Sequence, residues 1–353
     1  MKYSEDEQNL IVLSAITEMT YNERYSALSA LMSSTPDFTA CEKLLIKRCG
    51  IGVYNKVRDK FFDPAFRNKV FAELEDRGVE CVTYYSADYP ELLKHVPTPP
   101  ITLFIKGKRQ LLKTQCFSIV GARRAMPNTL LQCKRFAKEI SEYFTVVSGS
   151  AQGADISALE GTGGKAISVI AFGLDHLDVK SGKPLQDVAK NGLFLSEYYP
   201  TTVPKTFLFR ERNRIIAGLS VGTLITAAAK KSGALITASF AADFGREVFA
   251  FPYNIGVASG EGCNNLIKQG ASLCQNPLDI VSAFGLDLKP SRAVALSEEE
   301  SKAYALIKEH GEVFLPNLSS SMGLPAFKLL PVLSALEIKG LVCRLGGNRY
   351  SII

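Results

Sequence analysis

The chain contains no tryptophan and only three histidines among its 353 residues. Its eight cysteines, Cys41, Cys49, Cys81, Cys116, Cys133, Cys263, Cys274 and Cys343, are scattered, and no CxxC pair occurs. Zinc sites need His and Cys at short spacing, so this scarcity argues against one; neither a metal nor a cofactor is expected. Scattered thiols without partners read as reduced and mostly buried, as in a cytoplasmic protein. The opening MKYSEDEQNL is acidic and lacks a basic start followed by an apolar stretch, so no secretory signal is read. No uninterrupted apolar run reaches membrane-spanning length. Three enzyme signatures are also missing. GARRAMPN, from Gly121, lacks the second and third glycines of GxGxxG; no GxxxxGK[ST] occurs; no GxSxG elbow accompanies His176 and Asp175. NAD binding, a Walker-type ATPase and a Ser-His-Asp hydrolase are thereby disfavoured. The net charge of +6 is mild, and allows nucleic-acid binding through a local patch without demanding it.

What is present divides into four segments. Residues 1–78 read as an all-α module, SAM-like or helix-hairpin-helix. Leu10, Leu13, Ile16 and Met19 fall at helical spacing, as do Ala27, Leu28 and Leu31, with Pro36 and the Gly50–Gly52 pair as punctuation. Residues 79–115 form a connector with two short strands, VECVTYY and ITLFIKG, separated by prolines that no helix interior would tolerate. Residues 116–286 alternate apolar strands with helical stretches. CFSIVG, FTVVSG, AISVIAFG, GLFLSEY, VGTLITAA and EVFAFP read as buried strands, and Asn128 to Tyr143 as an amphipathic helix. Near-continuous apolar strands between helices predict an α/β fold: a Rossmann-like, doubly wound, mostly parallel sheet. Residues 295–353 carry an S-x-x-E capping box at Ser297 and Glu300, two further helices and a hairpin turning on Gly346-Gly347, the pattern of a winged helix.

Ligands of open parallel sheets sit beyond the carboxyl ends of the strands. There the sequence places Gly121-Ala122-Arg123-Arg124, the run from Ser148 and Gly149 through Gly153 to Asp155, then Phe172 to Asp175, Glu197, and Lys230-Lys231-Ser232-Gly233. Glycines let backbone N–H groups approach a phosphate, and helix N-termini add their positive ends. FLFRERNRIIAGL, from Phe207, adds Arg210, Arg212 and Arg214 at the edge of an apolar run. Guanidiniums there need either an anion or an internal partner, and the acids close in sequence are few, Glu211 and Glu197. Glu197 is the natural internal partner for these arginines, Arg214 a possible strut and Asn213 a brace for the same loop. Asp155 reads first as a helix N-terminal residue.

These blocks resemble the DprA/Smf family of DNA-processing proteins of bacterial transformation. The similarity runs through Val120-Gly121-Ala122-Arg123, SGSAQGAD (Ser148–Asp155), GLD (Gly173–Asp175), LSEY (Leu195–Tyr198), FRERNRIIAGL (Phe209–Leu219), SGALITA (Ser232–Ala238), GREVFAFP (Gly245–Pro252) and Gly262–Ala271. The resemblance implies a non-enzymatic protein that coats and protects incoming single-stranded DNA, loads the RecA recombinase and forms homodimers through the Rossmann-like domain. It places the family's loop arginine at Arg123 and its lysine after GLD near Lys180. With Lys183, Arg212, Asn213, Arg214, Lys231, Ser232 and Gly233, and with Phe172 or Phe207 for base stacking, these are the expected DNA contacts. The chain departs from the family pattern at Leu159, at Ala227-Ala228-Ala229 and at Tyr253. The alternative is a nucleotide-processing enzyme of the related phosphoribohydrolase group. Those enzymes carry a catalytic Glu after a GT pair, and here Gly222-Thr223 has no acid after it. The terminal helix around Lys328 and Lys339 carries too few basic side chains to read as a groove-inserting helix.

Overall fold

The computed structural model describes residues 3–20, 22–24, 26, 46, 47, 49–286 and 296–352. The chain divides into two compact units, Met1–Ala283 and Phe284–Ile353.

The first unit opens with α1 (Glu5–Ala15), α2 (Ile51–Phe61) and α3 (Pro64–Asp76). Ser4 and Glu7 close a capping box on α1, and Asp63 caps α3 with Pro64 in its first turn. Leu10 and Leu13 pack from α1 against Val53, Val57 and Phe61. The helix stops at Ala15, so Ile16 and Met19 reach the same core from beyond its end rather than from a helical face. Gly50 is the N-cap of α2 at φ +85°. The expected helical residues Ala27, Leu28 and Leu31, Pro36 and Cys41 lie outside the described residues.

Next come β1 (Glu80–Thr83), α4 (Glu91–Lys94), β2 (Thr102–Gly107), β3 (Cys116–Val120), α5 (Pro127–Ile140), β4 (Thr145–Ser148), α6 (Ala154–Gly161), β5 (Ala166–Val169), α7 (Lys183–Asn191), β6 (Leu193–Ser196), α8 (Thr206–Leu219), β7 (Ser220–Ile225), α9 (Gly233–Asp243), β8 (Glu247–Ala250), α10 (Glu261–Lys268), β9 (Ser272–Leu273) and α11 (Pro277–Ala283). Among the described residues nine strands form one sheet in the order β1-β2-β6-β5-β4-β3-β7-β8-β9. From β6 to β9 every pairing is parallel. The strands of the expected connector extend this sheet: β2 pairs antiparallel with β6, and β1 with β2. The apolar runs follow from this placement, because β3, β5 and β6 are buried along their whole length. Successive strands advance from β3 to β6, then restart at β7 on the other side of β3. Right-handed crossovers therefore send α5, α6 and α7 to one face and α9 to the other.

The second unit holds α12 (Glu298–His310), β10 (Glu312–Phe314), α13 (Leu315–Met322), α14 (Ala326–Ile338), β11 (Val342–Leu345) and β12 (Arg349–Ile352). Ser297 and Glu300 form the expected capping box, and Gly311 ends α12 at φ +73°. The hairpin turns through Gly347 and Asn348, both at positive φ. β10, which the sequence did not announce, pairs with β12 to give the antiparallel order β10-β12-β11. Three helices around a core of Ile307, Leu318, Leu329, Leu333 and Tyr350 carry this small sheet. Among the described residues no single helix is long and apolar enough to cross a membrane.

Candidate nucleic-acid interface

The strand order reverses between β3 and β7, so the loops that follow these two strands diverge and leave a crevice. A cleft of about 310 Å³ lies there. One wall is Gly121, Ala122 and Arg123 after β3; another is Ser232, Gly233 and Thr237 at the start of α9. The third is α8, which presents Thr206, Phe209, Arg210, Asn213 and Ile216. These positions recur every three or four residues, the spacing of one helical face.

Small residues let the loops close on one another. A side chain at Gly149 would collide with Asp155 Oδ2 and the Arg212 guanidinium. Gly153 caps α6 at φ +88°, and a Cβ there would strike the carbonyls of Ala122 and Arg123. The loop after β4 thus lies directly beneath Arg123. Ser232 caps α9, its side chain accepting from Ala234 N at 3.3 Å. Asn213 braces this loop as expected, donating from Nδ2 to Gly233 O at 3.3 Å and accepting from Arg212 Nε at 3.2 Å.

The arginines fall into two groups. Arg123 and Arg210 are exposed at the cleft. The Arg123 guanidinium sits 5.5 Å from the centre of the Phe209 ring, which in turn packs 6.1 Å from Phe172. Arg212 and Arg214 are only 4% and 5% exposed. Arg212 lies at the cleft floor, donates to Val169 O and stands beside Asp155. Arg214 forms an ion pair with Glu197, itself 5% exposed. Burial pushes the Glu197 carboxyl up, against the pull of Arg214 and then Arg24. Burial likewise raises Asp155 to about 6, although Arg212 and backbone N–H bonds from Ala151 and Gly121 pull the other way. The Asp155 carboxylate therefore ties the loops after β3 and β4 to α8.

The cleft thus gathers Gly121, Arg123, Arg212, Asn213, Ser232 and Gly233. Phe172 stands behind Phe209. Lys180, Lys183 and Lys231 are exposed outside the lining, on the turn Val179–Ser181, at the start of α7 and before α9. Two expected contacts turn inward. Ser148 is fully buried and donates to Ile119 O at 2.7 Å, bracing β4 against β3. Arg214, one turn past Arg210 on α8, is buried and directed at Glu197. Phe209, Arg210 and Thr206 were not among the expected contacts. Reading α8 as one helix from Thr206 would have found all three. Among the described residues no group of three His, Cys, Asp or Glu side chains could hold a metal ion.

A doubly wound sheet with a cleft at its switch point defines a Rossmann-like protein. More narrowly, the chain belongs to the family of DNA recombination-mediator protein A, the DprA/Smf group, whose family model matches residues 80–285. It is 38% identical over 201 residues to the DNA processing protein DprA of Streptococcus pneumoniae, covering 56% of this chain and 71% of that one. Identity to the Bacillus subtilis DprA is 37% over 236 residues, 65% of this chain and 78% of that one. The X-ray structure of the S. pneumoniae protein superposes with a TM-score of 0.69 at 29% identity, covering 82% of this chain and all 100% of that one. A structure of DNA processing protein A from Helicobacter pylori, which describes that protein's single-stranded DNA binding mode, gives a TM-score of 0.54 at 28% identity over 58% of this chain and 95% of that one.

Proposed function

We propose that this protein binds single-stranded DNA along the rim and breaks no bond in it. The observation that carries this reading is the pairing of Arg123 and Arg210, exposed on two walls of one cleft whose floor holds the buried Arg212. Phosphates lie against these two guanidiniums and the N–H groups at Gly233, while Lys180, Lys183 and Lys231 extend the cationic track beyond the cleft. The Phe209 ring, backed by Phe172 and faced by Arg123, offers a stacking surface that suits any base. Ser148, Gly149, Gly153, Arg212 and Arg214 act from beneath by holding the loops. The single-stranded DNA binding of the H. pylori relative supports the choice of ligand.

A non-catalytic role fits the disposition of the carboxylates. Asp155 is engaged with two backbone N–H groups and Arg212, Glu197 with Arg214, and Asp175 with Arg77. Family membership supports the finer reading: protection of incoming DNA in transformation, loading of RecA, dimerisation through the sheet domain and a cytoplasmic place of action. Residues 1–78, 79–115, 116–286 and 295–353 remain the proposed working segments, the third carrying the DNA.

Fluorescence anisotropy with a labelled oligo-dT over a salt series tests this. Binding should weaken with a log–log slope of about −0.7 per phosphate contact, and Arg123→Ala should lower affinity roughly tenfold for all sequences alike. A slope near zero would defeat the reading. Release of free base from nucleoside monophosphates would instead establish the phosphoribohydrolase alternative.

A further inference from the structure

The loops that carry the outer cations are fastened to the N-terminal helices. Asp175 sits in the short turn Leu174–His176 after β5 and accepts a 2.7 Å hydrogen bond from Arg77 Nε, at the C-cap of α3. One turn earlier on that helix, Glu73 accepts from Tyr199 Oη at 2.7 Å. Arg77 Nη1 lies 3.7 Å from the same Glu73 carboxylate, so the two fastenings share one node. Tyr199, which follows β6, is buried and held edge-on by Phe104 at 5.7 Å.

The two fastened loops also interlock. Gly173 N donates to Thr202 O at 2.8 Å, and Asp175 N to Pro200 O at 3.1 Å. A side chain at Gly173 would strike the carbonyls of Tyr199 and Pro200. Sheet pairing does not reach this far, because β5 ends at Val169 and β6 at Ser196. Beyond Asp175 the chain runs into the turn Val179–Ser181, where Asp178 accepts from Lys180 N at 3.0 Å. The loop is thus held at its start by the sheet, where Ser196 Oγ donates to Phe172 O at 2.7 Å, and further along, at Asp175 ahead of Lys180, by α3.

We infer that the end of α3 is a positioning element for the DNA interface, with Arg77 and Glu73 holding the loops after β5 and β6 and thereby placing Lys180. This rests on the single-stranded DNA reading above. A half-exposed ion pair adds little to fold stability. Its effect on binding is larger, because a loop already held in place loses less freedom when DNA arrives. The N-terminal helices then serve the interface directly rather than as a separate adaptor.

The test uses the full chain, labelled oligo-dT and a salt series, with thermal unfolding in parallel. Arg77→Ala and Asp175→Asn should each weaken binding roughly fivefold and flatten the salt slope by about 0.7, the loss of one contact. The unfolding midpoint should stay put, and the exchanged pair Arg77→Asp with Asp175→Arg should restore affinity. In a Lys180→Ala background, Arg77→Ala should add nothing further. Wild-type binding by Arg77→Ala, while Arg123→Ala loses affinity, overturns the positioning role and leaves the DNA reading intact. Loss of affinity together with a lowered midpoint and no recovery in the exchanged pair also overturns it, by assigning Arg77 to the fold alone. Wild-type binding by both Arg77→Ala and Arg123→Ala overturns the positioning role and also the placement of DNA at this cleft.

Discussion

Helix α8 in the first unit and helix α14 in the second are nearly equal in length, 14 and 13 residues, yet their outward faces differ in kind. The cleft face of α8 carries Phe209, Arg210 and Asn213. The exposed side of α14 carries Phe327 at 70% and Ile338 at 88% exposure, with Leu330 between them. A polyanion would be drawn to the first surface, whereas the second offers it the exposed Lys328 among apolar side chains. A helix in a small three-helix module is thus not, by position alone, where nucleic acid lies. Exposed charge favours the switch-point cleft for the proposed ligand.

The comparison depends on α8 holding one arginine exposed at the cleft and another, a turn further on, buried on an internal partner. The buried arginine gives the largest expected effect. Arg214→Ala leaves Glu197 buried without its ion-pair partner, and should cost about 3–5 kcal/mol in urea unfolding. Arg210→Ala should leave the urea midpoint unchanged while lowering oligo-dT affinity. Equal stability losses in the two variants would erase the distinction between the exposed and the buried arginine.

A smaller effect follows from Asp155. Its folded pKa of about 6 stands above the ordinary value of 3.8, so the folded state binds this proton more readily than the unfolded chain. The corresponding stability is fully present below the ordinary value and is lost as pH rises through about 6. Acidification from pH 7 to pH 5 should therefore add roughly 1 kcal/mol from this group. Asp155→Asn should flatten that part of the pH profile, as read by urea unfolding across the range.

The smallest effect belongs to the second unit. A chain ending near Gly285 should keep its affinity for oligo-dT within about twofold. A larger loss, reproduced by Lys328→Ala, would show that α14 binds DNA after all and would reverse the comparison.

The sheet was legible because its signal is local. CFSIV, AISV and LFLS each hold one serine among otherwise apolar residues, with no polar alternation, as a strand covered on both faces requires. The capping box at Ser297 and Glu300 and the glycine after α12 were equally readable, since both act within one turn. The strands at Glu80 and Thr102 were recognised, but not their place beside β6, because pairing partners are far apart in sequence. The arginines of α8 were visible as a cluster, and Glu197 was foreseen as a partner. That Asp155, more than fifty residues earlier, would stand beside Arg212 was not.

The sequence by itself determined the alternation of buried strands and helices, the glycine-rich loops beyond them and the basic run at Arg210, since period and composition act over a few residues. Only the tertiary structure decided which arginines face water. Arg210 and Arg214 are one helical turn apart and so lie on nearly the same face of α8, and the difference between them comes from their neighbours along the helix: an open cleft beside Arg210, and beside Arg214 the Glu197 carboxylate just past the end of β6.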